Sequence, residues 1–248
     1  MIILRNGDRL PTVAVLQSYL NQQPSTRPLL AVDGAFGPKT RAAVRQFQVA
    51  ARLTPSGVVD WEVWKRVVGS EWQIIDWVDH STPAGETDDL KPYAQTLLES
   101  FGMSKGGQQL LARIQAAGRA GQVVLLRFHG HGGAGHMRLA GGVGVDHRQG
   151  ERMFSAFRPL RPMFAPFGSI ELHGCRLGAG AHGRSLLAGI AGAAGVPASG
   201  GIQYQYGGGA TTFRFEGPTV TYCPCYEPLR AWSRRVGSAS RLRPTTFV

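Results

Sequence analysis

The side chains best suited to covalent chemistry are a histidine and a cysteine, each of which follows a short hydrophobic run. Residues 123–128 lead into a His-Gly-His-Gly-Gly segment that contains His129 and His131, and residues 169–172 lead into a His-Gly-Cys segment that ends at Cys175. Both runs are apolar and bounded by glycine, which predicts buried strands of an α/β sheet. Ligands bind beyond the carboxyl ends of such strands. A thiolate beside an imidazole there would be a nucleophile with its own base.

The two segments together resemble the caspase, gingipain and clostripain group of cysteine peptidases. In that group a His-Gly follows one strand and the nucleophilic Cys follows a later strand. The His of caspases lies roughly 50 residues before the Cys, and here Cys175 lies 44 positions after His131. Residues 170–180 and the Ala- and Leu-rich stretch 183–194, predicted to be a helix, look most like the caspase-like domains of bacterial surface proteins. Caspases proper differ, since they carry Gln-Ala-Cys-x-Gly at the nucleophile.

The resemblance implies a role for each residue of the dyad. Cys175 would attack a scissile carbonyl, and His131 would hold the proton and give it to the leaving amine. The backbone N–H groups of Gly132 and Cys175 would bind the oxyanion, and each such donor typically lowers the barrier by about 3 kcal/mol. His129 is an alternative base because it is also followed by glycine. We prefer His131, which directly precedes the glycine-rich turn as in the family.

The resemblance also points to a substrate pocket. In the resembled peptidases, residues after the last core strands shape the pocket for the side chain that precedes the cut. Here this places Ser199, Gln203 and Tyr204 near the substrate, whereas Glu216 lies too far along the chain to receive a role. No charged residue within 199–204 indicates which side chain would be preferred. The dyad mechanism requires no cofactor.

The first third of the chain carries a second, independent set of signals. Leu16 and Leu20 recur at helical spacing, glycine and proline punctuate residues 33–38, and Ala43 and Phe47 would share one helix face. This segment resembles the small three-helix peptidoglycan-binding module of bacterial and phage cell-wall enzymes. The matching residues are Val15–Asn21, Val32–Thr40, Ala43–Gln48, Gly57–Asp60 and Trp64.

Three residues of this module are candidates for wall contacts: Asp33, Phe36 and Trp64. Core packing is the better explanation for Phe36 and Trp64, as for Phe47. Asp33 is better explained as a residue that fixes the geometry of its loop. Asp60 stands where the family usually has a second glycine, so we expect a somewhat different last turn.

Length and composition agree with two domains. A chain of 248 residues with 43% hydrophobic residues can bury one small and one medium core. We expect a small all-α module over residues 1–70, then an α/β caspase-like domain with a mainly parallel central sheet over residues 71–248 that ends in a basic tail. Residues 72–78 read as the first strand of the second domain, and residues 90–117 as one or two helices.

The net charge and the hydropathy of the chain limit which binding partners and which cellular location fit it. A net charge of +11 attracts polyanions, of which peptidoglycan and other anionic wall polymers suit the module. No nucleic-acid recognition motif is visible, and no apolar stretch is long enough to span a membrane. The opening residues 1–4 form too short an apolar run for a signal peptide. We therefore expect a protein of the cell envelope or extracellular space that is exported without a recognisable signal peptide, with cytoplasmic storage before delivery as an option.

The sequence leaves three functional hypotheses open. The leading one is a cysteine peptidase, carried to the wall by its module, that cleaves an envelope protein or a peptidoglycan stem peptide. The second is a zinc-dependent wall amidase or peptidase; histidines two residues apart on one strand share a face and can chelate, but no zinc signature accompanies them. The third is a non-catalytic wall-binding protein. The candidate zinc ligands would be drawn from among His129, His131, His136, His173 and Cys175.

Overall fold

The computed structural model describes residues 2–79, 90–100, 107–140, 143–207 and 213–239. Its N-terminal part is a helical module with one small strand pair. Two short strands pair antiparallel beside the helices, so the module is not purely helical. The elements are α1 (Pro11–Gln22), α2 (Pro38–Ala50), α3 (Trp61–Val68), β1 (Ile2–Leu4) and β2 (Val59–Asp60).

Local sequence signals start each of these helices. Pro11 and Pro38 occupy the first turns of α1 and α2, where the missing N–H costs nothing and the fixed φ suits a helix. Asp60 caps α3, since its Oδ1 accepts a hydrogen bond from the N–H of Val63 at 3.0 Å. The residue that departs from the usual glycine therefore has a structural role in starting the third helix.

The remainder of the chain is an α/β region. A mixed, mainly parallel six-stranded sheet forms its centre, and a small antiparallel sheet follows β5. The strands are β3 (Gln73–Val78), β4 (Thr96–Glu99), β5 (Val123–His129), β6 (Gly132–Gly133), β7 (His136–Ala140), β8 (Val143–Asp146), β9 (Phe164–His173), β10 (Ala198–Gly201) and β11 (Thr219–Tyr222). The helices are α4 (Gly107–Ala117), α5 (Gly150–Phe154), α6 (Gly180–Ala194) and α7 (Leu229–Ala239), with a 3-10 helix at Ser155–Met163.

The strand order of the large sheet is β11-β10-β9-β5-β3-β4. Only the β10–β11 pair is antiparallel. Strands β3 and β5 are buried along their whole length, as expected for parallel strands covered on both faces. The predicted helical module followed by a mainly parallel α/β region is thus the observed order of the fold.

Helices cover both faces of the sheet. Helices α4 and α6 and the 3-10 helix cover one face, and their apolar side chains form one core with it. Helices α1 and α7 contact the other face at β9. The apolar core of the module continues into that second face, where it includes Ile74 and Phe167. Helix α1 therefore packs both within the module and against the sheet.

The observed elements agree with most of those predicted between residues 72 and 194. The strand expected at residues 72–78 is β3, and the helix expected at 183–194 is α6, which ends at Gly195 with a left-handed φ of 75°. The prediction of one or two helices over 90–117 was wrong in part. That stretch contains β4, a half-buried edge strand whose sequence Thr-Leu-Leu-Glu has no clear alternation.

The Arg-rich C-terminal stretch is not simply a tail. Residues 229–239 form α7, which places Trp232 and Ser233 in buried positions. Residues 240–248 lie outside the described part of the chain. Among the described residues no helix is long and apolar enough to cross a membrane.

Candidate active site

The sheet aligns the two segments that carry the predicted dyad. Strands β5 and β9 are parallel neighbours, and His129 is paired in register with His173 at their carboxyl ends. The N–H of Gly130 donates to the carbonyl of His173 at 3.2 Å, which extends this pairing by one residue. His131 lies two residues after His129, and Cys175 lies two residues after His173. The two turns therefore leave the same edge of the sheet side by side.

Glycine at position 174 permits this close approach. A Cβ added there would lie 2.7 Å from the carbonyl oxygen of Gly130 and 3.5 Å from the nitrogen of Gly132. A contact of 2.7 Å with a backbone atom would force one of the turns to move. The sequence His-Gly-Cys thus fits the local packing, and Gly132 lies beside the turn that presents Cys175.

The thiol of Cys175 is half-buried against a neighbouring loop. Its Sγ donates to the carbonyl of Gln205 at 3.3 Å and accepts from the N–H of the same residue at 3.4 Å. The next residue, Arg176, has a φ of 56°, a backbone conformation that residues other than glycine rarely adopt. Its N–H donates to the carbonyl of Gln203 at 2.8 Å. Loop 203–205 therefore holds the turn that carries the thiol in a strained conformation.

The side chain of His131 is exposed at the same edge of the sheet. Its carbonyl accepts a hydrogen bond from the N–H of Arg138 at 2.8 Å, which ties the turn to β7. The N–H of Gly135 donates to the carbonyl of Leu177 at 3.3 Å, so the loop after the histidine also contacts the loop after Cys175. The histidine and cysteine loops are thus linked by backbone contacts.

His129, the alternative base, lies in a different environment. It is buried on the face of the sheet that α1 covers, and its Nε2 lies 2.9 Å from Asp76 Oδ1. Burial lowers the pKa of His129 to about 4, although the bond to Asp76 favours the charged form. The imidazole is therefore neutral near pH 7 and hydrogen-bonded to Asp76. These contacts favour His131 as the base that a substrate could reach.

A row of polar side chains that the sequence reasoning missed crosses the sheet beneath the turns. Asp76, Arg127 and Glu171 are register partners on β3, β5 and β9. Arg127 donates to both oxygens of Asp76, from Nε at 2.7 Å and from Nη2 at 3.0 Å. Burial alone would raise the pKa of Asp76, but Arg127 and the bond from His129 hold it at about 2. In the sequence, the signal that could have revealed this row is a single charged residue within each of three otherwise apolar strands.

The same row reaches the N-terminal module. His173 Nε2 lies 3.0 Å from Glu171 Oε2, and Thr12 of α1 donates its hydroxyl to Glu171 Oε1 at 3.2 Å. The rings of His129 and His173 stack with centroids 5.0 Å apart, and Phe215 stacks on the other side of His173 at 4.3 Å. The residue two positions before Cys175 is therefore fixed by a carboxylate, an imidazole and an aromatic ring.

A cleft of about 360 Å³ lies beside the thiol turn. It is lined by Gln203 and Tyr204, and also by Arg176 and Glu216. The carboxylate of Glu216 accepts hydrogen bonds from the N–H groups of residues 206 and 207 at 2.9 and 2.7 Å. The position of Glu216 in the sequence indicated no role for it. In the structure, residues 213–217 return to loop 203–207, and this places Glu216 at the cleft.

The structure places Ser199 elsewhere. It lies within β10 with its side chain buried, and its hydroxyl bonds Thr221 Oγ1 at 2.8 Å across the β10–β11 pair. Its hydroxyl is engaged inside the sheet, so Ser199 does not line the cleft. The serine instead continues the polar row from Glu171, its register partner on β9.

The module residues have the structural roles that were favoured. Phe36 and Trp64 are only 2% and 1% exposed, so both belong to the core. Asp33 Oδ1 accepts hydrogen bonds from the N–H of Ala35 at 3.0 Å and from Gln17 Nε2 at 2.9 Å. Asp33 therefore fixes the geometry of its loop.

The donors considered for zinc do not form a ligand set. Within the described ranges, no group of three or more His, Cys, Asp or Glu side chains is placed to hold a metal ion. His129 and His173 are each engaged by a carboxylate inside the sheet. The residues that the structure describes therefore do not fit a zinc centre.

Comparison with known proteins supports the N-terminal assignment. Residues 9–67 match the family model described as a putative peptidoglycan binding domain. The chain is also 34% identical, over 84 residues, to the zinc D-Ala-D-Ala carboxypeptidase of Streptomyces albus G; the match covers 34% of this chain and 31% of that relative. The chain thus spans about a third of the relative's length. No solved structure matches the chain.

Proposed function

We propose that this protein is a wall-directed cysteine peptidase in which His131 and Cys175 form the catalytic dyad. The observation that carries the proposal is the register of β5 and β9, because pairing of His129 with His173 starts the two catalytic turns side by side. The family match of residues 9–67 supports direction to peptidoglycan. The similarity to a carboxypeptidase supports hydrolysis as the reaction, without specifying the catalytic type.

The proposed reaction uses a thioester intermediate. The Cys175 sulfur, as thiolate, attacks the carbonyl carbon of a peptide bond, and the carbon–nitrogen bond then breaks. The leaving amine takes the proton held by His131, now the general acid. Water, deprotonated by the same imidazole, cleaves the thioester and restores the thiol. The N–H groups of Gly132 and Cys175 are the proposed donors to the oxyanion.

Several contacts prepare Cys175 for this role. The strained φ of Arg176 and the bonds to Gln205 fix the direction of the thiol before substrate arrives. The cleft lined by Gln203, Tyr204 and Glu216 lies next to it and offers space for the side chain that precedes the scissile bond. The proposed substrates are wall stem peptides or envelope proteins, and the proposed location is the cell envelope or extracellular space.

A zinc-dependent wall hydrolase is the second candidate, and the name of the relative favours it. The experiment that separates the candidates is digestion of purified peptidoglycan and of a mixed peptide library, analysed by mass spectrometry. Wild type and Cys175→Ala are each assayed with and without a chelator. Cleavage that resists the chelator and disappears in Cys175→Ala supports the dyad. Cleavage that persists in Cys175→Ala and disappears with the chelator contradicts it.

A further inference from the structure

The module contains a groove that lies away from the sheet. Its volume is about 480 Å³, within the usual range for ligand sites. It lies where α1 and α2 end, whereas Thr12, which contacts the sheet, lies at the start of α1. At about 1.5 Å per residue, Thr12 and the end of α1 at Gln22 are about 15 Å apart. The lining residues are Gln23, Pro24, Ser25, Phe47, Ala50, Ala51, Arg52 and Arg66.

The lining combines a small apolar surface with two guanidinium groups. Phe47, Ala50 and Ala51 offer contacts for methyl groups. Arg66 reaches the groove from α3, with Nη1 bonded to the carbonyl of Glu62 at 2.7 Å and 3.6 Å from Glu62 Oε2. Arg52 is exposed and lines the same groove. Guanidinium groups beside methyl-sized surfaces suit a short peptide that carries a carboxylate.

The backbone of Arg52 is a second indication of function. Its φ is 56°, in the left-handed region, directly after the end of α2. Glycine is the usual residue at this position because a Cβ is unfavourable there. An arginine at the edge of a groove thus occupies a position where glycine would suit the fold better, which points to a role for its side chain.

Two buried hydroxyl groups belong to the same corner of the module. Tyr19 contacts Phe47 edge to face with ring centroids 5.6 Å apart, and Thr26 directly follows the groove residue Ser25. Within the part of the chain that is described, neither hydroxyl oxygen has a hydrogen-bond partner. Buried polar atoms without partners are uncommon in native proteins. Neither residue is part of the groove lining, so these hydroxyls are neighbours of the proposed site and not contacts for its ligand.

We propose that this groove binds the carboxylate end of a peptidoglycan stem peptide, with Arg52 and Arg66 on the carboxylate and Phe47, Ala50 and Ala51 on the alanine methyl groups. This inference rests on the proposed direction of the protein to the wall. It assigns recognition to the peptide rather than to the glycan. The groove and the thiol turn would then contact the same class of polymer at separate sites.

The test uses the full-length Cys175→Ala protein, so that bound peptide is not cleaved. Affinity is measured by calorimetry for a soluble peptide that ends in D-Ala-D-Ala with a free carboxylate, for the same peptide as its C-terminal amide, and for glycan strands stripped of peptide. Binding to whole peptidoglycan is measured by sedimentation. Arg52→Gly and Arg66→Ala are compared with Arg45→Ala, which removes the same charge from a residue of α2 that lies against Gly57 instead of the groove.

The expected result is a loss of affinity for the free peptide by about tenfold or more in Arg52→Gly and Arg66→Ala. Arg45→Ala should bind as the parent does, and the amide should bind the parent as weakly as the free peptide binds Arg52→Gly. Because glycine suits a left-handed φ, Arg52→Gly should keep its melting temperature or gain a few degrees. The loss of binding would then have no explanation in unfolding.

Two other outcomes contradict the proposed groove, and only the second also contradicts the proposed role at the wall. Unchanged peptide affinity in Arg52→Gly and Arg66→Ala, or equal affinity for the amide or the stripped glycan, removes the groove assignment; if sedimentation with peptidoglycan persists, the proposed wall role stands. A parent protein that binds neither peptidoglycan nor the peptide contradicts the groove and the wall role together.

Discussion

Asp76 and Arg127 are register partners on β3 and β5 and form a two-pronged ion pair whose side chains are 0% and 1% exposed. The pair lies beneath the candidate dyad, because Asp76 also accepts from His129 at the end of β5. A buried carboxylate of this kind stabilises the fold only while its partners are present. The polar row therefore links the folding of the sheet to the placement of the two turns that carry the candidate dyad.

Removing the charge of Asp76 should strongly destabilise the protein. Asp76→Asn would leave the guanidinium of Arg127 buried without its counter-charge, a change that typically costs about 3–5 kcal/mol. The free energy of unfolding, measured in urea, checks this prediction. Glu62→Gln is the control, since Glu62 pairs with Lys65 at the surface and its loss should change little. Equal, small shifts in the two variants would contradict the assignment of a structural role to the buried pair.

Stability should fall as the pH is lowered from 6.5 to 4 because of His129. Its pKa is about 4 in the folded protein and 6.5 ordinarily, so in this window the unfolded chain binds a proton that the folded protein does not. The difference corresponds to about 3 kcal/mol. The pKa of Asp76 falls from 3.8 to about 2 on folding, so its stabilisation is present above pH 3.8 and is lost only below this window.

His129→Gln isolates this effect, since glutamine can donate to Asp76 but does not titrate. Urea unfolding of wild type and variant at pH 7, 5.5 and 4.5 should give a flatter pH dependence for the variant. Parallel pH dependences in the two proteins would show that His129 is not the titrating group.

The sequence predicted the strands that lead to the candidate dyad more reliably than it predicted the residues around them. Apolar runs bounded by glycine identified β5 and β9, and helical spacing identified the module. The network of Asp76, Arg127 and Glu171 was missed, because pairing between strands far apart in the chain cannot be read from periodicity. Glu216 was missed for the same reason, since only the fold returns it to the thiol turn. The sequence predicted Ser199 in the pocket, but its hydroxyl is hydrogen-bonded to Thr221 on the neighbouring strand.

The close contact between the two turns that carry the candidate dyad predicts a selective effect of an added methyl group. Gly174→Ala would place a Cβ 2.7 Å from the carbonyl oxygen of Gly130, so we expect a shifted thiol turn, reduced peptidase activity and a loss of about 1–3 kcal/mol of stability. Gly192→Ala is a matched control within α6, where an added Cβ meets no atom within 4 Å. It should keep activity and gain up to about 1 kcal/mol, because alanine favours helices. The prediction is checked by peptidase assay and urea unfolding, and full activity in Gly174→Ala would contradict it.

The shared core predicts that the α/β region depends on the module. Helix α1 covers β9, and its Thr12 bonds the buried Glu171. A fragment of residues 71–248 would expose Phe167 and leave that carboxylate without its hydroxyl partner. We expect the fragment to lack a cooperative unfolding transition by circular dichroism, and to gain one when residues 1–70 are added as a separate chain. A fragment that unfolds cooperatively alone, with wild-type peptidase activity, would show instead that the domains are independent.

The most direct measurement is to identify the residue that an electrophilic wall peptide modifies. A stem peptide carrying a vinyl sulfone in place of the scissile bond would be incubated with the protein, and the adduct located by mass spectrometry. The two other cysteines serve as internal references: Cys225 is exposed, and burial raises the pKa of Cys223 to about 12. We predict a single adduct on Cys175 that forms at least about a hundredfold more slowly in His131→Ala. Modification of Cys225 at the same rate as Cys175, or a rate on Cys175 unchanged in His131→Ala, would contradict the proposed dyad.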